Sequence, residues 1–199
     1  MDLASGTASV FSAVGLSGAA GLNAYLPLLL SAVLDRLDVV DLGEPFGALS
    51  SNLGIAILAS LFVADFVGDK IPGVDHALHV AGTVVHPVAG ALLFVGQTGV
   101  DTGIPAAVAA VLGAVTAETL HGGRAALRPS STATTAGFGN PFLSLGEDAA
   151  SLGLTIVAFA LPLVALLLVL VLLAAVISAW RRLRRSAGPP NGPNATSGS

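Results

Sequence analysis

The sequence predicts an all-α, polytopic membrane protein, because it is very apolar and its apolar runs are long. Of 199 residues, 54% are hydrophobic and only 10% are charged, and the mean hydropathy is +0.86. The longest apolar run, 152–180, exceeds the roughly 20 residues with which a helix crosses the hydrocarbon core. This length suits one domain, so we expect a single membrane domain at 1–180.

Apolar runs separated by polar or Gly/Pro-rich segments give five candidate spans: 8–34, 53–68, 79–98, 104–121 and 152–180. Five crossings would put Arg124 and Arg128 on the side opposite the basic cluster 181–185, although Arg and Lys favour the cytoplasmic side. A further crossing by 134–150 removes this conflict. We therefore expect five to six membrane segments, with six preferred and a cytoplasmic N-terminus.

The basic cluster also predicts the location of the C-terminus. It anchors residues 181–199 at the cytoplasmic face of the membrane, and the Gly/Pro/Asn/Ser-rich remainder is expected to be disordered. The lipid bilayer is thus one partner, a small ion or solute is another, and the sequence leaves a homo-oligomer open. A net charge of −4 argues against a nucleic-acid partner. The chain has no cysteine, which excludes disulfides and thiolate metal sites.

Two elements combine Gly, Asn and Pro within apolar surroundings, at 18–27 and 137–148. Asn23 suits the N-cap of a second half-helix, and Asn140 precedes a proline suited to a first helical turn. We predict that both elements are broken or re-entrant helices that face each other, because irregular backbone at membrane depth must be satisfied by protein or water.

A degenerate internal repeat would relate these two elements. Asp65 and Glu118 each follow an apolar helix rich in small residues, and a polar-Pro pair follows each at a similar distance. Repeats with broken helices are a known transporter architecture. The repeat therefore predicts that Asp65 and Glu118 approach each other across a pseudo-symmetric interface.

The strongest candidate site joins Asp65, Asp69 and Lys70. The two carboxylates are four residues apart and so share one helix face. Ionisable groups at membrane depth indicate function by default, and this set could hold a cation or exchange it for a proton. The alternative is an interfacial salt-bridge cluster that caps a helix.

Other ionisable residues supply a second half of the site. Glu118 and His121 have the i, i+3 spacing of carboxylate-bridged metal bundles, although Glu118 could instead pair with Arg124. Glu147 and Asp148 could form a gate, a proton site or a solvated loop. We predict that Asp65, Asp69, Glu118 and Glu147 share one polar cavity, with Asn23 and Asn140 lining the pathway.

A divalent cation is the cofactor that the sequence leaves open. Asp75, His79 and His86 fall at i, i+4 and i+11 on one helix face, and oxygen and imidazole ligands suit such an ion. Alternatively, His79 lies at the headgroup level and His86 is a packed polar residue.

Four motifs in order carry a resemblance to a known family: Gly21-Leu-Asn-Ala-Tyr-Leu, Asp69-Lys-Ile-Pro-Gly-Val-Asp-His, His86-Pro-Val-Ala-Gly-Ala and Gly139-Asn-Pro-Phe-Leu-Ser-Leu-Gly-Glu-Asp. Over about 8–175 the chain resembles the bacterial integral-membrane family classed as domain of unknown function 4126. This resemblance implies a location in a bacterial inner (plasma) membrane and no particular activity. Gly68-Asp69-Lys70 is also similar to part of a motif of small cation/proton exchangers, although Phe66 and Ile71 depart from it.

These patterns favour a small secondary transporter or permease for a cation or a proton-coupled small solute. The alternatives are a non-transporting membrane scaffold and a metal-dependent membrane enzyme. No Walker loop, dinucleotide fingerprint, Gly-x-Ser-x-Gly elbow or HExxH motif is present, so ATP-driven transport and the standard hydrolase mechanisms have no support.

Overall fold

A computed structural model describes the chain over residues 3–68, 74–99, 102–135 and 140–186. Within these ranges, side chains are described except at 3, 74–77, 79, 126–141 and 183–186. The described residues form eight helices and no strand, which confirms the prediction of an all-α protein.

The helices are α1 (Leu3–Leu22), α2 (Tyr25–Arg36), α3 (Phe46–Leu49), α4 (Asn52–Gly68), α5 (Val74–Thr98), α6 (Ala106–Thr135), α7 (Asn140–Ala160) and α8 (Pro162–Ser186). Four segments are long and apolar enough to cross a bilayer: Val80–Thr98, Ala106–Ala125, Phe142–Ala160 and Pro162–Arg182. The apolar helix α4 is shorter.

Helix α1 lies at the centre of the bundle, in contact with α5, α6, α7 and α8. Its small residues allow this position, because a Cβ on Gly15 would lie 2.7 Å from Ala165 Cβ and 2.8 Å from Ala158 Cβ. A Cβ on Gly18 would lie 2.5 Å from Val169. Small residues let helix backbones approach closely in membranes, so the sequence of α1 suits it to a buried central position.

The predicted single span 8–34 is wrong, because α2 turns back along the bundle. Near the end of α1, the carbonyl oxygen of Ala20 contacts His86 on α5. At the far end of α2, Arg36 donates to the carbonyl oxygen of Ser50 at 3.1 Å, close to α3. There Phe46 packs against Gly96, near the opposite end of α5. Helices α1 and α2 therefore form an antiparallel hairpin.

The predicted span 152–180 is also divided. Leu161 lies between α7 and α8, and Gly15 of α1 contacts both Ala158 before the turn and Ala165 after it. Because Gly18 next contacts Val169, α8 runs parallel to α1. The start of α1 and the end of α8 thus lie at opposite ends of the bundle, which corrects the expectation of both termini on one side.

Candidate functional site

The break between α1 and α2 is the starting point of the site. Asn23 Oδ1 accepts hydrogen bonds of 3.0 Å from the backbone N–H groups of both Tyr25 and Leu26. It thereby satisfies donors that the first turn of a helix leaves unpaired. The predicted N-cap role of Asn23 is confirmed, and Asn23 is only 3% exposed.

The carbonyl oxygens at the end of α1 receive side chains from three other helices. Ser151 donates to Ala19 O at 3.0 Å, His86 Nδ1 bonds Ala20 O at 2.5 Å, and Arg124 donates to Leu22 O. A helix C-terminus carries partial negative charge, which a guanidinium stabilises. The protein itself therefore supplies the partners that irregular backbone at membrane depth requires.

Arg124 is the central cation of the site. Its Nη1 lies 2.9 Å from Glu147 Oε2, and the two side chains are 14% and 17% exposed. Its Nη2 lies 3.3 Å from His86 Nε2 and 3.4 Å from His121 Nδ1. One guanidinium thus connects α1, α5, α6 and α7.

The two histidines stack on each other, with ring centroids 4.0 Å apart and planes at 25°. A carbonyl oxygen can only accept, so His86 Nδ1 carries a proton, and Nε2 faces the Arg124 donor with its lone pair. His121 Nδ1 likewise faces that donor. These directions assign both imidazoles as neutral. Gly82 leaves room for the stack, because a Cβ there would lie 2.9 Å from His121 Cε1.

A second polar contact reaches the same place from α7. Asn23 Nδ2 donates to Asp148 Oδ1 at 2.8 Å. We call the six side chains that make these two sets of contacts the polar network: Asn23, His86, His121, Arg124, Glu147 and Asp148.

The polar network borders a small cavity of about 30 Å³. Four of its members, Asn23, His86, Arg124 and Asp148, line this cavity together with Asp65 and Tyr25. The volume is sufficient for a water molecule or a small ion. Carboxylate, amide and imidazole groups around such a space can bind and release a proton or a small cation.

Part of the polar network lies well within the apolar spans, although Arg124 stands one residue before the end of Ala106–Ala125. His86 is six residues into the span Val80–Thr98, and Asp148 is six residues into Phe142–Ala160. At 1.5 Å per residue, both are about 9 Å from the ends of these spans. Polar and charged groups at this depth are costly unless they are paired or face water.

The structure brings together only part of the predicted site. Asn23, His121, Glu147 and Asp148 meet as described, and Asp65 lines their cavity. The predicted shared cavity is wrong for two carboxylates: Glu118 lines a separate groove between α6 and α8, and Glu147 reaches the cavity only through its ion pair with Arg124. The alternative pairing of Glu118 is also absent, since Arg124 binds Glu147.

Other predicted site residues lie outside what the structure describes. These are Asp69 and Lys70, together with the side chains of Asp75, His79 and Asn140. The backbone of Asn140 begins α7, and residues 140–148 form continuous helix, so the part of 137–148 that is described contains no break. Among the described residues, no three His, Asp or Glu side chains gather as a metal site.

The sequence reasoning missed two features of the site. His86 is buried, as the packed-residue alternative predicts, but the sequence does not reveal that it binds the end of α1 and stacks on His121. Sequence spacing suggests only Glu118, on the same helix, as a partner for Arg124, whereas the guanidinium binds Glu147 on α7. The sequence does contain a signal for both contacts. Helix α1 ends within an apolar run, so its last carbonyl groups need hydrogen-bond donors from other parts of the protein.

This arrangement defines a polytopic helical membrane protein with a buried polar network next to a broken helix. The family model described as a domain of unknown function, DUF4126, matches residues 10–182, and the chain belongs to this family. Comparisons with curated proteins and with solved structures gave no match.

Proposed function

We propose that the protein is a small secondary transporter or permease for protons or a small cation, with the polar network and Asp65 as its binding site. The cavity carries this proposal. It is large enough for one small ion or water, it lies next to a helix break, and Asp65 and Asp148 both line it.

The charges around the cavity favour a cation over an anion. Two carboxylates, Asp65 and Asp148, line the cavity itself, and the guanidinium of Arg124 is bound by a third carboxylate, Glu147. The hydrogen-bond directions leave the two imidazoles neutral. Carboxylates that line a low-dielectric site attract protons and cations.

The α1–α2 turn is the part of the site that transport would move. Its backbone groups are held by side chains from α5, α6 and α7, so a change in any of these contacts changes the turn. A cation bound at Asp148 Oδ1 would compete with the hydrogen bond from Asn23, and a proton on Asp148 would weaken that bond. This competition couples occupancy of the site to the position of α2.

We further propose that the polar network faces the cytoplasmic half of a bacterial inner membrane. Arg181 and Arg182 end the span of α8, and α8 runs parallel to α1, whose end binds Arg124. The basic end of the bundle is therefore the end that holds the network. Basic residues favour the cytoplasmic side.

Flux into proteoliposomes tests the proposal. Vesicles that contain a pH-sensitive dye, together with separate Na⁺, K⁺ and Mg²⁺ tracer experiments, should show uptake above that of protein-free vesicles for at least one of these ions. The Asp65→Asn variant should lower that flux several-fold, whereas Asp41→Asn, in an exposed loop, should not. Absence of flux for every ion would favour the scaffold or enzyme alternatives.

A further inference from the structure

A groove between α6 and α8 lies apart from the polar network, on the outer surface of the bundle. Its volume is about 430 Å³, within the range of small-molecule sites. Eight residues line it: Glu118, Thr119, Gly122, Gly123, Val176, Ile177, Trp180 and Arg181. Ile177 and Trp180 are 46% and 48% exposed, so the groove opens outward between the two helices.

Glu118 is unusual among the residues of this groove because it is an acidic side chain within a membrane span. It lies within the span Ala106–Ala125, and its Oε2 atom is buried with no hydrogen-bond partner among the described residues. A carboxylate in this setting is costly unless a counter-charge or a donor reaches it. Arg124, on the same helix, binds Glu147 instead.

Arg181 lines the same groove but forms no ion pair with Glu118 within the described structure. It stands one residue before the end of the span of α8, where water and salt screen its charge. The hydroxyl of Thr119 donates to Val115 O of its own helix at 2.7 Å, so it is already engaged. The counter-charge for Glu118 is therefore best supplied by a ligand.

The other lining residues indicate what that ligand is. Trp180 offers an aromatic face, to which cations are attracted, and Val176 and Ile177 offer apolar surface. A Cβ on Gly122 would meet nothing within 4 Å, so the wall there is open. A carboxylate and a tryptophan in an apolar groove suit a positively charged molecule with an apolar body.

We propose that this groove is a binding site for a lipophilic organic cation, with Glu118 as its counter-ion and Trp180 against its apolar body. The site is separate from the polar network, so it does not depend on the proposed transport of small ions. A molecule of this class partitions into the bilayer and reaches the groove from the lipid.

Trp180 allows a direct test, because it is the sole tryptophan of the chain. The protein in lipid nanodiscs is titrated with tetraphenylphosphonium while tryptophan fluorescence is recorded. We expect a saturable change. Glu118→Gln should weaken binding about tenfold or more, which corresponds to roughly 1.4 kcal/mol. Glu44→Gln, which removes a carboxylate at an exposed position between α2 and α3, is the matched control and should bind as the wild type does.

A second pair of variants tests the location. Gly122→Leu should fill the groove and abolish the fluorescence change, whereas Gly146→Leu on α7, also at a position with open space, should leave it intact. Equal binding by wild type and Glu118→Gln would overturn the proposal. So would equally tight binding of the neutral triphenylphosphine, since the groove would then be only an apolar lipid contact.

Discussion

Asn23 Nδ2 donates a 2.8 Å hydrogen bond to Oδ1 of Asp148, which lies 125 residues further along the chain. The amide oxygen of the same Asn23 caps α2. Because the carboxylate can only accept and the backbone N–H groups can only donate, these partners determine the orientation of the amide. One side chain thus positions the α1–α2 turn against α7.

Substitution of Asn23 should separate its two roles. Asn23→Ala removes the cap and the contact with Asp148, and we expect a loss of at least about 1 kcal/mol of stability. Asn23→Asp keeps a capping oxygen but places a second carboxylate against Asp148, so it should also destabilise. Thermal unfolding in detergent measures both. The control is Asn52→Ala at the exposed start of α4, and an Asn23→Asp variant as stable as the wild type would contradict the assigned contact.

The Arg124–Glu147 pair should behave as a buried ion pair. Arg124→Ala leaves Glu147 and the Leu22 carbonyl without their partner, so we expect a loss of about 3 kcal/mol. The double variant Arg124→Met/Glu147→Leu removes both charges and should recover part of that loss. Denaturant titration in micelles measures the difference, with the exposed Arg182→Ala as the control. A single variant less harmful than the double variant would refute this account.

Gly82 should be required for the histidine stack. In Gly82→Ala the new methyl group would lie 2.9 Å from His121 and 3.2 Å from His86, so the rings must separate. We expect lower thermal stability and a change in the histidine ring signals by NMR. Gly146→Ala, which adds a methyl group in open space, is the control and should change neither measurement.

Much of this architecture could be predicted from residue patterns. The apolar runs predict membrane helices, and the Gly/Asn/Pro composition of 18–27 predicts both the break and the N-cap of Asn23. The reversal of direction at Asn23 could not be predicted in the same way. A cap residue determines where a helix begins, whereas the packing of α2 against α4 and α7 determines where that helix goes.

The candidate site shows the same limit of prediction from sequence. Glu118 and His121 are three residues apart, and spacing alone placed them in one site. In the bundle His121 is 1% exposed and stacks on His86, while Glu118 lines an outer groove. Small differences in direction on one helix decide which neighbours two side chains meet, and these neighbours come from distant parts of the chain.

Cysteine labelling can test the topology, because the chain contains no cysteine. Ser5→Cys, near the start of α1, and Asp38→Cys, in the loop after α2, should react with a membrane-impermeant maleimide from one side of the membrane. Arg182→Cys, near the end of α8, should react from the other side. Labelling of Ser5→Cys and Arg182→Cys from the same side would contradict the parallel arrangement of α1 and α8.

The central claim is that the polar network carries the ion, and the flux of the Asp148→Asn variant tests it most directly. An asparagine at 148 can still accept the hydrogen bond from Asn23 through its amide oxygen, so the fold is kept while the charge is lost. At equal protein density in proteoliposomes, we predict at least about a tenfold lower proton or cation flux. Asp38→Asn, in the exposed loop, should match the wild type. Equal flux through Asp148→Asn and the wild type would contradict the claim.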